Sequence, residues 1–175
     1  NEGKADFIAL GRPLLADPLW RVTVRAGHTP RRCLACNSCV NDMRGGTGLR
    51  CLVNPATGRE LKYDKNTGPN GERIAVFGAG PAGLTYADLV AKENQVTIFE
   101  RAGLAGGAFR LAGKAPRFQE VETSETSLTR YIEALVQRCT EQGVEIRYDT
   151  NVEDNPSQLT DFDRIVIASG ADYRT

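Results

Sequence analysis

The chain has 175 residues, enough for one fair-sized domain or for parts of two, and its 41% hydrophobic and 25% charged residues are typical of a globular protein. Lys and Arg together number 22, as do Asp and Glu, and this balance argues against nucleic-acid binding through a general positive charge. No apolar run approaches the roughly 20 residues that span a bilayer, which argues against membrane insertion.

The first predicted element is a short strand over residues 5–10, the apolar run ADFIAL. Gly11 and Arg12 follow it directly, and a helix is predicted from residue 17 to residue 25, where Pro18 suits the first helical turn. A backbone N–H at Gly11 and the guanidinium of Arg12 would suit a phosphate monoester at the end of the strand. Because the chain begins without a methionine and shortly before this strand, we expect it to be a fragment of a longer protein.

Four cysteines follow in the run CLACNSCVNDMRGGTGLRC with the spacing C-x2-C-x2-C-x11-C, namely Cys33, Cys36, Cys39 and Cys51. Three thiolates on one tight loop can hold three corners of an iron–sulfur cube, and the more distant fourth thiolate then closes the site. The spacing therefore predicts that these cysteines hold a [4Fe–4S] cluster. A structural zinc ion is the alternative, although its ligands more often come as two separated C-x2-C pairs.

The remaining cysteine and the basic residues near the cluster have simpler interpretations. Cys139 lies on the apolar stripe of a predicted helix, so we interpret it as a core residue. Because the other four cysteines are predicted to bind metal, the chain is not a secreted disulfide scaffold, and we expect a reducing, cytoplasmic location. Arg31 and Arg32 are predicted to be a solvated pair, and His28 to cap the end of a helix.

Beyond residues 62–72, a polar stretch that we interpret as a linker, strands and helices alternate. Such alternation predicts an α/β fold with a parallel sheet. The predicted strands cover residues 73–77, 96–100, 144–148 and 165–168, and the predicted helices run to about residue 92 and from about residue 124 to residue 142. In the second helix one stripe with a 3.6-residue period holds Leu128, Tyr131, Ile132, Leu135, Val136 and Cys139.

The run GAGPAG closes the strand at 73–77 and opens the next helix, which is the position of a dinucleotide-binding loop. Gly78 would permit the tight turn, and Gly80 would let the backbone approach a pyrophosphate. Gly83 would allow close packing of the helix on the strand. Pro81 and Ala82 begin the helix, whose N-terminus offers N–H donors to phosphates.

Further candidates for nucleotide contacts follow other predicted strands. Glu100, about 20 residues beyond the loop, would accept hydrogen bonds from the adenosine ribose. Its charge argues against a 2′-phosphate in this pocket, while the spacing leaves FAD and NAD both open. Arg101 and Gly107 come after the same strand, and a flexible loop is the alternative for Gly107. Ala168 and Gly170 end the last strand, at the carboxyl edge where open α/β sheets place ligands.

With these features in order, the chain resembles the iron–sulfur flavoenzymes of the 2,4-dienoyl-CoA reductase and trimethylamine dehydrogenase group, in which an Old Yellow Enzyme-type barrel is joined to a disulfide-reductase-like nucleotide module. The run ALGRPLLADP looks like the end of the barrel, which implies that Gly11 and Arg12 bind the phosphate of FMN. The run CLACNSC with CLVNP looks like the cluster loop. GAGPAG with Glu100, GGAFRLA and ASGA look like the first half of the FAD-binding domain.

The resemblance implies a three-part organisation. Residues 1–30 would be the C-terminal strand and helix of an FMN-binding TIM barrel, and residues 31–61 the [4Fe–4S] segment. After the linker at 62–72, residues 73–175 would be the first part of a Rossmann-like FAD/NAD(P)-binding domain. Most of the barrel with its active site, and the NAD(P)H-binding domain, would lie outside this chain, so no catalytic residue is expected within it.

The intact protein is then expected to pass electrons from NAD(P)H through FAD and the cluster to FMN, and to reduce an activated C=C bond of a small molecule, of the enoate or dienoyl-CoA type. The two residues between Cys36 and Cys39 match the amine dehydrogenases of the group instead. In that alternative an amine reduces FMN, electrons leave through the cluster to an electron-transfer flavoprotein, and the nucleotide site holds ADP. A third alternative is a non-enzymatic, zinc-stabilised nucleotide-binding module. The sequence leaves the substrate and the oligomeric state open.

Overall fold

A computed structural model describes residues 4–64, 68–112 and 124–171. The chain forms two compact units, Asn1–Asn66 and Thr67–Thr175. The boundary lies inside the polar stretch 62–72 that we interpret as a linker, although the first residues of that stretch belong to a short helix. Within the described ranges, no helix combines the length and the hydropathy that crossing a membrane requires.

The described part of the first unit contains helices and loops without a strand. The helices are α1 (Arg12–Ala16), α2 (Trp20–Arg25), α3 (Ser38–Arg44) and α4 (Glu60–Asp64). Residues 5–10 do not form the strand that their sequence predicts, and Phe7 and Ile8 are 93% and 82% exposed. A strand needs a neighbour to pair its backbone N–H and C=O groups, and no described strand of this unit supplies one.

The second helix ends at Arg25, and His28 caps its end as the sequence predicts. Gly27 has a φ of 80°, a conformation that favours glycine. The Gly27 N–H donates to the Val24 carbonyl, and the His28 N–H donates to the Thr23 carbonyl. This pair of bonds satisfies two carbonyls at the helix end, so His28 caps α2 through its backbone.

Helix α1 is held against later parts of its own unit by buried polar groups. The side chains of Asn54 and Thr57 both donate to the Leu15 carbonyl, at 3.0 and 2.8 Å. Asp17 is 6% exposed and accepts the Arg31 backbone N–H at 2.9 Å. Since a buried polar group without a partner is costly, these bonds fix α1 and the segments around the cysteines in one arrangement.

The second unit is an α/β structure with a four-stranded sheet, as predicted. Its strands are β1 (Arg73–Phe77), β2 (Gln95–Phe99), β3 (Glu145–Arg147) and β4 (Arg164–Ile167). The order is β3-β2-β1-β4, and every neighbouring pair is parallel. The helices are α5 (Pro81–Val90), α6 (Phe109–Ala112) and α7 (Ser124–Glu141), and two 3-10 turns cover Val152–Asp154 and Pro156–Leu159.

Helices α5 and α7 share the core of this unit with one face of the sheet. Side chains of β1 and β2 on this face, such as Ile74 and Ile98, are fully buried. The predicted stripe of α7 is buried at Tyr131, Ile132, Leu135 and Cys139. The 3.6-residue period therefore identified the buried side of α7 correctly.

The polar link between these two helices is also buried. The Asp88 carboxylate accepts from Arg138 Nε at 3.0 Å and from Gln142 Nε2 at 2.8 Å. Cys139 Sγ donates to the Leu84 carbonyl at 3.4 Å, and burial raises the pKa of this thiol to about 12. Cys139 is therefore a core residue, as the sequence predicts.

The other face of the sheet is covered by the segment that joins β3 to β4. Phe99, Ala75 and Val152 are buried together there. Phe77 and Phe162 meet the Phe99 ring edge-on, with ring centroids 6.1 and 5.8 Å from it. Such edge-to-face pairs are a favourable arrangement of aromatic rings, and here they join β1, β2 and the segment that follows the 3-10 turns.

Candidate metal centre and nucleotide site

The four clustered cysteines line one pocket in the first unit. Cys33 and Cys36 precede α3, Cys39 lies in its first turn, and Cys51 approaches from the loop that follows the helix. Cys39 is 8% exposed, Cys36 is exposed, and the other two are half-buried. Apolar side chains, among them Leu15, complete the lining. The four cysteines of the predicted cluster site therefore line the same pocket.

The backbone of the cysteine loop is unusual at two positions. Ala35 has a φ of 55° and Asn37 a φ of 60°, values in the left-handed region that residues other than glycine rarely adopt. These residues alternate with the cysteines, and the Ala35 N–H donates to Cys33 Sγ at 3.4 Å. Strained backbone of this kind concentrates at functional sites. An N–H directed at a ligating sulfur is one way in which proteins tune iron–sulfur clusters.

The donor chemistry determines which metal group suits this pocket. All five cysteines are free thiols. In the part of the chain that the structure describes, no set of three or more His, Cys, Asp or Glu side chains meets the requirements for holding a metal ion. Four thiolates without histidine or carboxylate partners are the ligands of [4Fe–4S] clusters and also of some structural zinc sites. The donor set therefore fits a cluster, and the assignment of its four ligands stays a prediction.

The predicted phosphate-binding residues, Gly11 and Arg12, lie at the start of helix α1. Gly11 precedes the helix, and a Cβ added there would meet nothing within 4 Å. Arg12 is exposed, lines the cysteine pocket and donates through Nη1 to Asn37 Oδ1. No sequence pattern indicates this contact, which joins positions 25 apart. The role of both residues toward FMN stays a prediction.

In the second unit, the glycine-rich loop lies where the strand order reverses. Gly78 follows β1 and Ala168 follows β4, and the Ala168 N–H donates to the Phe77 carbonyl at 2.8 Å. Gly78 has a φ of 104°, and a Cβ there would lie 2.5 Å from the Ala168 carbonyl oxygen. Gly170, with a φ of 77°, comes two residues later. This reversal is the point at which open α/β sheets bind ligands.

Gly80 and Gly83 have different surroundings. Gly80 caps α5, has a φ of −77°, and would accept a Cβ without a contact inside 4 Å. A Cβ on Gly83 would overlap the Gly78 carbonyl and lie 3.2 Å from Val76 Cγ1. Gly83 therefore allows the helix to pack on the strand, while Gly80 leaves the helix N-terminus open. Pro81 and Ala82 form its first turn, where N–H groups without helical partners can bind phosphate.

Each carboxylate oxygen of Glu100 accepts a hydrogen bond from a backbone N–H. The residue is 7% exposed, and its Oε2 accepts the Ala79 N–H at 2.7 Å while Oε1 accepts the Ala102 N–H at 2.9 Å. An ionised carboxylate has about four acceptor sites, so two remain for hydroxyl donors. Arg101, the next residue, is exposed. Glu100 therefore supports the glycine-rich loop, a role that the sequence analysis did not assign.

The loop with Gly107 meets the glycine-rich loop through its neighbour Gly106. The Gly106 N–H donates to the Ala79 carbonyl at 2.8 Å. Gly106 has a φ of 116°, and Gly107 has a φ of 51° with open space at its Cβ position. Ala79 thus joins both segments, although nothing in its residue type signals this position. The arrangement leaves Gly107 exposed beside the candidate phosphate site.

Comparison with known proteins gave relatives over nearly the whole chain. No family model matches it. The chain is 36% identical over 98% of its length to a metal reductase from Desulforamulus reducens, which it covers to 26%. It is 32% identical over 98% to an NADH oxidase from Thermoanaerobacter brockii, also covered to 26%. It is 31% identical over 99% to a cinnamate reductase from Clostridium sporogenes, again covered to 26%.

Solved structures match the chain over the same extent. A 2-naphthoyl-CoA reductase bound to 2-naphthoyl-CoA matches 99% of it with a TM-score of 0.83 and 26% identity. A 6-hydroxypseudooxynicotine amine oxidase from Pseudomonas geniculata N1 matches 97% with a TM-score of 0.78 and 26% identity. The chain covers 26% of each of these structures. It therefore spans about a quarter of the length of the proteins that it matches.

Proposed function

Because the chain belongs to the iron–sulfur flavoenzymes of the 2,4-dienoyl-CoA reductase and trimethylamine dehydrogenase group, we propose that it is the electron-transfer segment of an NAD(P)H-dependent reductase. In the full-length protein it would hold a [4Fe–4S] cluster on Cys33, Cys36, Cys39 and Cys51. Its second unit would hold the ADP part of FAD. The substrate would be a small molecule with an activated C=C bond.

One observation carries this proposal. A pocket lined by four thiols and a glycine-rich loop at the carboxyl edge of a parallel sheet occur on the same chain. A simple dinucleotide-binding domain would not need the first feature, whereas a zinc-stabilised nucleotide-binding module would have both and is distinguished by its metal content. The relatives named NADH oxidase and cinnamate reductase agree with electrons entering from a nicotinamide and leaving to a C=C bond.

The residues of the chain would bind and orient the cofactors. The open N-terminus of α5 at Gly80 would receive the pyrophosphate, and the free acceptor sites of Glu100 would receive ribose hydroxyls. Gly11 and Arg12 would bind the FMN phosphate. When bound, the flavins and the cluster supply hydride and single-electron chemistry. The cluster thiols must stay reduced, so we also propose the reducing cytoplasm as the location.

The second candidate is an amine dehydrogenase. The two-residue gap between Cys36 and Cys39, which matches the amine dehydrogenases of the group, favours it, as does the similarity to an amine oxidase of known structure. Electrons would then flow from FMN through the cluster to an external carrier such as an electron-transfer flavoprotein. The nucleotide site would hold ADP in place of a working FAD.

The two functions are separated by mixing the full-length protein anaerobically with NADH, NADPH or a small amine and recording the flavin absorbance. In a reductase NADH or NADPH bleaches the flavin, and in an amine dehydrogenase the amine bleaches it. We expect bleaching by NADH or NADPH, and about four irons and four sulfides per chain. Zinc without sulfide would overturn the redox function in both forms.

A further inference from the structure

We propose that Arg12 positions the cysteine loop by holding Asn37, in addition to any contact that it makes with a phosphate. The inference rests on the proposed function, because the loop in question is the one that would hold the cluster. Arg12 then has a partner within the chain, and Asn37 sets the turn between the predicted ligands Cys36 and Cys39.

The contact itself is the first observation. Arg12 Nη1 donates to Asn37 Oδ1, and both residues line the pocket that the four cysteines share. Asn37 lies between Cys36 and Cys39 in sequence and is the residue that precedes α3. Its side chain makes no capping bond to that helix. The amide oxygen that would ordinarily cap a helix start is used by Arg12 instead.

The backbone at Asn37 explains why such a contact is useful. Its φ of 60° lies in the left-handed region, which asparagine tolerates better than most residues but which still has to be maintained. This turn sets where α3 begins, and with it the separation of Cys36 and Cys39. A bond from a charged guanidinium to the Asn37 amide is the stronger kind of hydrogen bond and holds the turn from outside the loop.

Helix α1 gives Arg12 a firm support for this task. The Leu15 carbonyl, one turn after Arg12, accepts hydrogen bonds from the buried side chains of Asn54 and Thr57. Asn54 comes three residues after Cys51. Helix α1 therefore contacts the chain at Asn37, between Cys36 and Cys39, and again at Asn54, just after Cys51.

Arg50 offers a matched control for the charge of Arg12. It directly precedes Cys51, and its guanidinium makes two bonds of 3.0 Å to the Asp42 carboxylate in α3 and not to Asn37. Loss of a positive charge near the pocket is therefore common to Arg12→Ala and Arg50→Ala. Loss of the bond to Asn37 belongs to Arg12→Ala alone.

The test is a double-mutant cycle on the full-length protein purified without oxygen. Iron release to an excess of chelator is followed by the absorbance near 400 nm for Arg12→Ala, Asn37→Gly and the double variant. Glycine removes the amide without strain at a positive φ, so the cycle reports the contact and not the backbone. Arg50→Ala is combined with Asn37→Gly in the same way. Arg12→Gln, which keeps an N–H donor, serves as the conservative variant.

We expect Arg12→Ala and Asn37→Gly each to release iron about tenfold faster than the wild type, the lower end of the range for a hydrogen bond that involves a charged group. The double variant should be no faster than either single one, whereas the Arg50→Ala effect should multiply with that of Asn37→Gly. Arg12→Gln should lie between wild type and Arg12→Ala, and it replaces the alanine variant in the cycle if that variant does not fold.

Two results would overturn the inference alone: wild-type release rates in Arg12→Ala, or Arg12→Ala and Asn37→Gly effects that multiply. The absence of iron and sulfide from the wild-type protein would instead overturn the proposed function, and this inference with it. The two failures are therefore distinguishable in the same samples.

Discussion

The backbone N–H of Ala79 donates to Oε2 of Glu100 at 2.7 Å, and both groups are buried. The glycine-rich loop after β1 and the acid that follows β2 are therefore parts of one hydrogen-bonded unit. We therefore expect two tasks for Glu100: it holds the loop, and its remaining acceptor sites would receive ribose hydroxyls.

Replacing Glu100 separates these tasks. In Glu100→Ala the Ala79 N–H loses a buried partner, which should cost about 2 kcal/mol of the free energy of unfolding and lower the flavin content of the full-length protein. Glu100→Gln keeps one acceptor oxygen and should lose less of both. Hydrogen exchange at the Ala79 amide, compared with flavin per chain, checks the prediction. Unchanged exchange in Glu100→Ala would show that the contact does not hold the loop.

Gly80 and Gly83 form a matched pair for binding and folding. In Gly83→Ala the new Cβ meets the Gly78 carbonyl and Val76, so we expect a loss of about 3 kcal/mol or more, the upper range for overpacking. Gly80→Ala finds open space and an ordinary φ, so stability should change by less than about 1 kcal/mol. Its affinity for flavin should nevertheless fall about tenfold or more, equal to about 1.4 kcal/mol. Thermal melting and flavin titration measure the two effects, and normal flavin binding by Gly80→Ala would exclude a close pyrophosphate.

Cys36→Ser tests whether electrons pass through the cysteine pocket. Loss of one thiolate ligand should lower the iron and sulfide content, and NAD(P)H should then reduce FAD while FMN stays oxidised. Stopped-flow spectra of the two flavins measure this uncoupling. Cys139→Ala is the control, since Cys139 lies in the core and should leave the FMN reduction rate unchanged. Intact electron flow to FMN in Cys36→Ser would remove the cluster from the path.

The buried thiol of Cys139 predicts a pH dependence. Burial raises its pKa to about 12, so the neutral thiol persists far above the ordinary range near 8.5. Alkylation at pH 8.5 should therefore be much slower at Cys139 in the native protein than in the unfolded chain. The unfolded state releases the proton at lower pH than the folded state does, so this residue lowers stability as the pH rises from about 9 towards 12. Mass spectrometry of alkylated peptides at several pH values measures the protection, and equal rates would contradict it.

Asp88 joins α5 to α7 and should matter for stability alone. Its carboxylate is fully buried, whereas Arg138 is 19% exposed at its side chain. Asp88→Ala leaves Arg138 and Gln142 without this acceptor, and we expect a loss of about 3 kcal/mol. Glu133→Ala removes an exposed carboxylate from α7, the helix that carries Arg138, and should change little. Denaturant unfolding compares the two, and equal midpoints would mean that the buried pair contributes nothing.

The sequence predicts the second unit well because its signals are local. The strand at Arg73–Phe77 is a continuous apolar run, and the buried stripe of α7 follows from helical periodicity. Gly78 and Gly83 could be assigned from the strand–loop–helix context alone. In each case neighbours in sequence determine the conformation, so one segment contains the information that is needed.

The first unit could be predicted less well because its structure depends on distant partners. A strand at 5–10 requires neighbouring strands, and none is described beside it. Arg31 was expected to be solvated and is instead 8% exposed, close to the buried carboxylate of Asp17, which accepts its backbone N–H. The contact of Arg12 with Asn37 joins positions 25 apart, and no spacing rule connects them.

The two bonds at Ala79 have a consequence for the energetics of ligand entry. One ties the glycine-rich loop to Glu100, and the other ties it to the Gly106 loop, so bonds within the chain connect all three segments. A preorganised site of this kind gives up little conformational entropy when the ligand arrives. Affinity then depends mainly on the contacts themselves, and exchange of one adenine nucleotide for another at this site would require no rearrangement of the backbone.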